Sequence, residues 1–179
     1  MLRRGRDPPP PGASDVMGLE CAGVIVETGT GVPGWSVGAK VCALLAGGGY
    51  AEFAAGDAGS LLPIPDDMDF THAACLPEAM MTVWANVFQR CQLKAGEAFL
   101  IHGGTSGIGV KVIQPAKAAG AYEIFATAGS AAKCAATLDL GATRAINYRE
   151  EDFAAVISEA GGVDVILDMV GGDYVQKNI

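Results

Sequence analysis

Two small groups of residues could do chemistry here. The first is H-G-G-T-S-G-I-G at His102–Gly109, in which Gly104, Ser106 and Gly109 take the three positions of a G-x-G-x-x-G turn. Such a turn works by lacking side chains. It must be tight, it must let a pyrophosphate approach the backbone, and it must let a helix start pack on the preceding strand. The free N–H groups and the dipole of that helix start then attract phosphate. Ser106, in the middle slot, is small enough for the task, though poorer than Gly if φ there must be positive. The second group follows the strand expected over Tyr122–Thr127. A site for NAD usually carries Asp or Glu at that strand end to accept from the ribose 2′-hydroxyl, and the same carboxylate would repel a 2′-phosphate. Here Ala128, Gly129 and Ser130 are neutral, Lys133 follows one helical turn later, and Tyr148 comes after the next expected strand. Taken singly, Lys133 also reads as a solvated helix residue and Tyr148 as a packed edge aromatic.

The remaining polar residues suggest no reactive constellation. Glu20 reads as a structural carboxylate between domains and Asp168 as a strand-end residue, neither of them catalytic. His72 reads as a helix-surface residue, and His102, after a buried strand, as a hydrogen-bonded structural His. Cys21, Cys42, Cys75, Cys91 and Cys134 are scattered, odd in number and without a C-x-x-C pair. They fit buried free thiols in a reducing cytosol better than a zinc knot or redox dithiol, so a cytoplasmic location is expected.

The elements that must position these groups alternate. Ala98–Ile101 is an apolar run that reads as a buried strand before the glycine turn and a helix. Strands are then expected at Tyr122–Thr127, Arg144–Asn147 and Val163–Met169, with helices at Ala131–Leu140 and Glu151–Ala160. This alternation implies parallel βαβ units in a doubly wound sheet. Pro115 falls inside the helix after the glycine turn, where it should remove a hydrogen bond and kink the axis, at about 3 kcal/mol or more. The first half is different. Asp7–Gly12, D-P-P-P-P-G, is an extended entry. Gly18–Gly29 reads as a strand pair or one long bent strand, and Gly38–Leu45, Tyr50–Ala55 and Leu61–Pro65 as further strands, with a turn at Gly47–Gly49. Short strands punctuated by Gly and Pro suggest part of a β-rich, barrel-like unit. Between the halves, Asp69–Arg90 takes a helical period. Thr71, with Asp69 nearby, is the expected N-cap, and Pro77 should divide the helix near Leu76, the second piece running Glu78–Gln89. The expected domains are 1–78 and 79–179.

Composition narrows the partners. Half of the 179 residues are apolar, a globular balance, and the net charge of −8 disfavours nucleic acid and anionic membranes. No apolar run reaches the length of a membrane span. The basic cluster Arg3, Arg4 and Arg6 is followed by no apolar h-region, so it is not a signal peptide.

Several stretches together resemble the zeta-crystallin-like NADPH:quinone oxidoreductases of the medium-chain dehydrogenase/reductase superfamily. They are G-L-E-C-A-G-V (Gly18–Val24), G-G-G-Y-A-E-F (Gly47–Phe53), L-P-E-A-M-M-T (Leu76–Thr82) and the glycine turn. A-T-A-G-S-A-A-K (Ala126–Lys133), I-N-Y-R (Ile146–Arg149) and D-V-I-L-D-M-V-G-G (Asp164–Gly172) continue the likeness. The resemblance implies a partial GroES-like catalytic domain, a partial Rossmann domain and NADPH in the cleft between them. It also implies that both ends of the family's chain are missing, so residues 1–179 alone are expected to show little or no quinone reductase activity. The implied cofactor-binding residues are Thr82, Gly104, Ser106, Gly107, Ile108, Gly109, Gly129, Ser130, Lys133, Tyr148 and Gly171. Among these, Ser130, Lys133 and Tyr148 would hold the 2′-phosphate, and Thr82 would lie near the nicotinamide carboxamide. No catalytic side chain and no metal ligand is implied. In the zinc-dependent branch a His stands where Leu19 stands here, and the lobe of four closely spaced Cys is absent. Asp7 replaces a Tyr that commonly points into the substrate cleft. The expected reaction is hydride transfer to a small-molecule quinone. Enone or alkene reduction and a truncated, non-catalytic nucleotide-binding remnant are the alternatives. A full-length form is expected to be a homodimer.

Overall fold

The computed structural model describes residues 10–179, so Asp7 and the basic cluster lie outside the described residues. The chain divides into two compact units, Met1–Glu78 and Ala79–Ile179.

The first unit is built on a three-stranded antiparallel sheet of β1 (Glu20–Val24), β2 (Lys40–Leu44) and β3 (Leu61–Pro63), with β2 in the middle. Cys21 faces Ala43 across β1 and β2, and Cys42 faces Leu62 across β2 and β3. Burial favours the central strand, where Val41, Cys42 and Ala43 are buried. Cys42, Ile64 and Ala73 form a small core against which Ala22 and Met68 pack. The stretch expected to form a long strand or a pair, Gly18–Gly29, gives one five-residue strand. Ile25 then exchanges hydrogen bonds with Ala39 and Gly38, ending the ladder. Tyr50–Ala55, also expected as a strand, is irregular. The preceding glycine turn is tied instead to the segment before β1: Gly48, Gly49 and Tyr50 donate to Val16, Gly18 and Met17. That leaves Phe53 75% exposed, without a core face to fill. Gly18, at φ +108, admits this contact, since a Cβ there would sit 2.7 Å from Gly49 Cα.

The helical region is split as Pro77 demands. α1 (Phe70–Ala73) ends before Leu76, and α2 (Pro77–Val83) begins at the proline. At the first helical position the missing N–H costs no intrahelical bond. Asp69, not Thr71, is the N-cap of α1: its carboxylate accepts from His72 N–H at 2.8 Å, while Thr71 is inside the helix. Glu20 Oε2 accepts from Glu78 N–H at 3.0 Å, so this carboxylate serves the start of α2 within the first unit. The second helical piece does not keep one pitch. From Trp84 to Arg90 it is π-helical, closed by Cys91 N–H on the Asn86 carbonyl. Asn86 Nδ2 donates to the Thr82 carbonyl, a side-chain insertion of the kind that distorts a helix.

The second unit is a four-stranded, all-parallel sheet in the order β6-β5-β4-β7, with β4 (Ala98–Ile101), β5 (Glu123–Ala128), β6 (Arg144–Asn147) and β7 (Val165–Leu167). The helices are α3 (Gly107–Ala118), α4 (Ala131–Leu140), α5 (Phe153–Glu159) and α6 (Asp173–Lys177). Alternation sorts each strand into two faces. Phe99, Ile101, Ile124 and Ala126 pack with Val112, Ile113 and Ala116 of α3 and with Val83 and Val87. Leu100, Phe125 and Ile146 pack on the other face with Phe153 of α5 and Tyr174 of α6. The sheet is therefore doubly wound, and a three-stranded antiparallel sheet precedes it in the chain. α3 runs on through Pro115 to Ala118. The burial of Ile113 and Ala116 on either side outweighs the lost hydrogen bond. No helix among the described residues is long and apolar enough to cross a membrane.

Candidate dinucleotide-binding site

Parallel strands deliver their C-terminal ends, and the loops after them, to one edge of the sheet, where open α/β folds bind ligands. The turn after β4 carries Gly104, Ser106, Gly107, Ile108 and Gly109 to that edge. The loops after β5, β6 and β7 carry Gly129 and Ser130, Tyr148, and Gly171. Thr82 lies apart from these loops in sequence and element, half-buried in α2.

The turn after β4 is held by backbone and hydroxyl groups. Gly104 N–H donates to the Thr127 carbonyl at 2.9 Å, and Gly103 N–H donates to Thr127 Oγ1 at 3.1 Å. Ser106 is the N-cap of α3, its hydroxyl accepting from Gly109 N–H at 3.0 Å. Its φ is −73°, so the middle slot needs no left-handed residue and Ser is unstrained there. The positive φ falls on Gly103 instead. Helix geometry leaves the N–H groups of Gly107 and Ile108 without intrahelical acceptors, pointing out of the helix start.

The glycines of this edge are of two kinds. At Gly109 a Cβ would strike the backbone of Gly103 and Gly104, and at Gly104 it would meet Thr137 Cγ2 at 2.7 Å and Ala126 Cβ at 2.9 Å. These positions are bare so that the turn, α3 and α4 can close on one another. At Gly107 and Gly171 a Cβ would meet nothing within 4 Å, so their backbone is open to a ligand.

At the end of β5 the residues of the second group converge. Ser130 caps α4, its hydroxyl accepting from Lys133 N–H at 3.4 Å. Tyr148 N–H donates to the Ala128 carbonyl, and a Cβ on Gly129 would lie 2.8 Å from Tyr148 Cζ. The missing side chain at Gly129 thus seats the Tyr148 ring, which stays 44% exposed. Lys133 is exposed and forms no ion pair among the described residues. The nearby Glu151 pairs with Arg144 at 3.4 Å. A second helix start, a hydroxyl and a phenol therefore meet at a strand end whose own residues carry no carboxylate, and Lys133 stands in the first turn of the helix that starts there. Those groups fit the phosphates of a dinucleotide.

Below the edge is a polar cluster that sequence reasoning found only in part. His102 is fully buried, with edge-on contacts to Phe153 and Tyr174 at 4.6 and 4.8 Å between ring centroids. Its Nδ1 lies 3.3 Å from Thr127 Oγ1 and its Nε2 2.9 Å from Asn178 Oδ1. Burial pushes its pKa down and so favours the neutral ring, against smaller opposing pulls from Asn178 and Asp168. Asp168 turns the chain after β7, accepting from Val170 and Gly171 N–H at 2.7 and 2.9 Å and from Asn178 Nδ2 at 3.0 Å. Burial opposes its charge, but the bonds from Gly171 and Val170 with the rest of the set hold its carboxyl below the usual range. Thr127 was discoverable: alternation along β5 puts it on the face of Phe125, as it puts His102 on the face of Leu100. Asn178 carries no such signal.

Among the described residues no group of three or more His, Cys, Asp or Glu could hold a metal ion. His72 is an exposed partner of Asp69, and His102 is committed to Thr127 and Asn178. The donors present do not fit a zinc site.

Residues 1–66 match the alcohol dehydrogenase GroES-like domain, and residues 107–179 match the zinc-binding dehydrogenase family. The lovastatin diketide synthase lovF of Aspergillus terreus is 37% identical over 175 residues, covering 92% of this chain and 7% of that protein. The crystal structure of CurK enoyl reductase superposes with a TM-score of 0.82 at 36% identity, covering 91% of this chain and 49% of the other. Escherichia coli quinone oxidoreductase, crystallised with NADPH, gives a TM-score of 0.83 at 33% identity, covering 99% of this chain and 55% of the other. The chain therefore spans about half the length of those two reductases.

Proposed function

We propose that this chain, which belongs to the medium-chain dehydrogenase/reductase family, is the NADPH-holding part of a reductase that delivers hydride to a quinone. The observation that carries this reading is the end of β5. There Ser130 caps α4, whose first turn carries Lys133, and Tyr148 packs on Gly129, at a strand end whose own residues carry no carboxylate, beside the open backbone of the turn after β4. The open N–H groups at the start of α3 take the pyrophosphate, and Gly107 leaves room for it to approach. Lys133 and the hydroxyls of Ser130 and Tyr148 take the 2′-phosphate, a charge-assisted set. Gly171, bare and at φ +64, offers backbone to the rest of the cofactor. NADPH supplies the hydride; the protein's part is orientation and exclusion of water. No nucleophile is needed for that.

Titration with both cofactors tests the reading. Lys133→Ala should weaken NADPH binding roughly tenfold to a hundredfold, the equivalent of about 1.5–3 kcal/mol, and leave NADH binding nearly unchanged. Equal losses for the two cofactors would remove Lys133 from the site. Reduction of an enone is the second reading, favoured by the likeness to an enoyl reductase structure. Nicotinamide absorbance followed with a para-quinone and with an enoyl thioester separates the two.

A further inference from the structure

The orientation of every group below the sheet edge can be worked out from one carboxylate. Asp168 can only accept, so the Asn178 atom 3.0 Å from its Oδ2 is the donating amide nitrogen. Asn178 Oδ1 then faces His102 Nε2 at 2.9 Å and accepts, which places the ring proton on Nε2. In a neutral ring Nδ1 is left as an acceptor. Thr127 Oγ1, 3.3 Å away, already accepts from Gly103 N–H, so its own proton is free to point at Nδ1. Every donor in the series faces an acceptor, and no buried side-chain N or O among the described residues lacks a partner.

We infer that His102 is a positioning residue: as the Nε2–H tautomer it links Thr127, under the turn after β4, to Asn178 and Asp168, under the turn at Gly171, in a one-way hydrogen-bonded relay. The relay begins at Gly103 N–H and ends at the carboxylate that also holds Val170 and Gly171 N–H. It fixes the two backbone walls of the cofactor site as a pair. The fully buried ring packs against Phe153 and Tyr174 at near-perpendicular angles. Its relevance to ligand rests on the cofactor reading above; its existence does not.

Nitrogen-15 NMR on the ligand-free chain tests the relay itself. The His102 ring should give the spectrum of a neutral Nε2–H tautomer. Asn178→Leu should speed hydrogen exchange at the Gly103 amide about tenfold, and Thr127→Val should do the same at Gly171. Thr127→Ser, which keeps the hydroxyl, should restore protection, and it also serves if the valine variant fails to fold. An Nδ1–H tautomer, or effects confined to each substitution's own neighbour, would overturn the relay. NADPH titration then tests the positioning role. Thr127→Val and Asn178→Leu should each weaken binding about tenfold, and the double variant should be no weaker than the weaker single one. Multiplying losses, or affinities unchanged while the wild type binds, would overturn positioning. A relay confirmed by NMR in a chain that binds no NADPH would sink the cofactor reading and leave the relay standing.

Discussion

The two sheets of this chain bury themselves differently. In the parallel sheet both faces are covered: Phe99, Ile101 and Ile124 lie under α3, and Leu100, Phe125 and Ile146 under α5. In the antiparallel sheet the central strand is buried, but Val24 and Leu62 on its neighbours are exposed, and so are Val26 and Phe53 beyond them. The same alternation rule operates in both, so the difference lies in what each sheet has to pack against. A strand with two covered faces draws stability from every residue, and in the antiparallel sheet only β2, through Val41, Cys42 and Ala43, is buried in that way. The parallel sheet should therefore respond steeply to truncation and the antiparallel sheet weakly. Phe125→Ala should cost about 3–5 kcal/mol, because it opens a cavity among fully buried neighbours. Phe53→Ala should stay within about 0.5 kcal/mol. Urea unfolding followed by circular dichroism measures both, and comparable losses would break the comparison.

A contrast at smaller scale divides the glycines of the site. Gly109→Ala places a methyl against backbone that cannot move aside, so a loss of about 1–3 kcal/mol is expected, with loss of NADPH binding. Gly107→Ala meets nothing and sits at the first position of α3, so it should stabilise by about 0.4–1 kcal/mol. The same methyl should weaken NADPH binding if the cofactor approaches that face. Thermal melts with and without NADPH separate these effects. If the two variants lost stability alike, the division into packing glycines and open glycines would fail.

Much of the parallel sheet was legible because its signals are local and agree with one another. The apolar run Ala98–Ile101, the glycine turn and the helical period after it all point to one strand-turn-helix unit, and the next two strands repeat the logic. The antiparallel sheet was less legible. Tyr50–Ala55 has strand-like alternation, but pairing depends on a neighbour, and the glycine turn before it is committed to the segment ahead of β1. Caps were read to within two residues: Asp69 takes the cap because its carboxylate reaches His72 N–H, which is three positions on. The π-helical pitch at Trp84–Arg90, where the Asn86 side chain bonds the Thr82 carbonyl, left no periodic trace. At the site, the neutral residues after β5 and the family resemblance pointed to Lys133 and Tyr148. The contact of Tyr148 with Gly129 and the relay through Asn178 depend on how separate strands are brought together.

Ser106 sharpens the glycine contrast further, with a smaller effect. Its hydroxyl caps α3 and its φ is ordinary, so it serves the helix as an acceptor, not as a bare position. Ser106→Ala should cost about 1 kcal/mol in thermal unfolding, and Ser106→Gly only about a few tenths. A glycine variant more damaging than the alanine variant would show that the backbone, not the cap, sets this position.

The smallest expected effect separates the sheets by pH. His102 lies inside the parallel sheet's unit, and burial pushes its pKa below the ordinary 6.5, with Asn178 and Asp168 pulling the other way. Tyr174, the other titratable group against the ring, is itself pushed up by burial and stays protonated across the same range. In the unfolded chain the ring takes up a proton near pH 6.5, while in the folded unit it resists until a lower pH. Between those two values the unfolded state binds more protons, so stability rises with pH there. The contribution of the neutral ring is thus fully present above 6.5 and is lost as pH falls through the window below it. Asp152 and Asp168, both lowered from 3.8, enter only at more acid pH. Urea midpoints at about pH 7.5 and about pH 5.5 should therefore differ for the transition that unfolds the parallel sheet, the acid value being lower. His102→Gln keeps an acceptor and a donor without a titrating ring, and it should flatten that difference. A slope that survives in His102→Gln would assign the proton to another group and leave the ring no part in it.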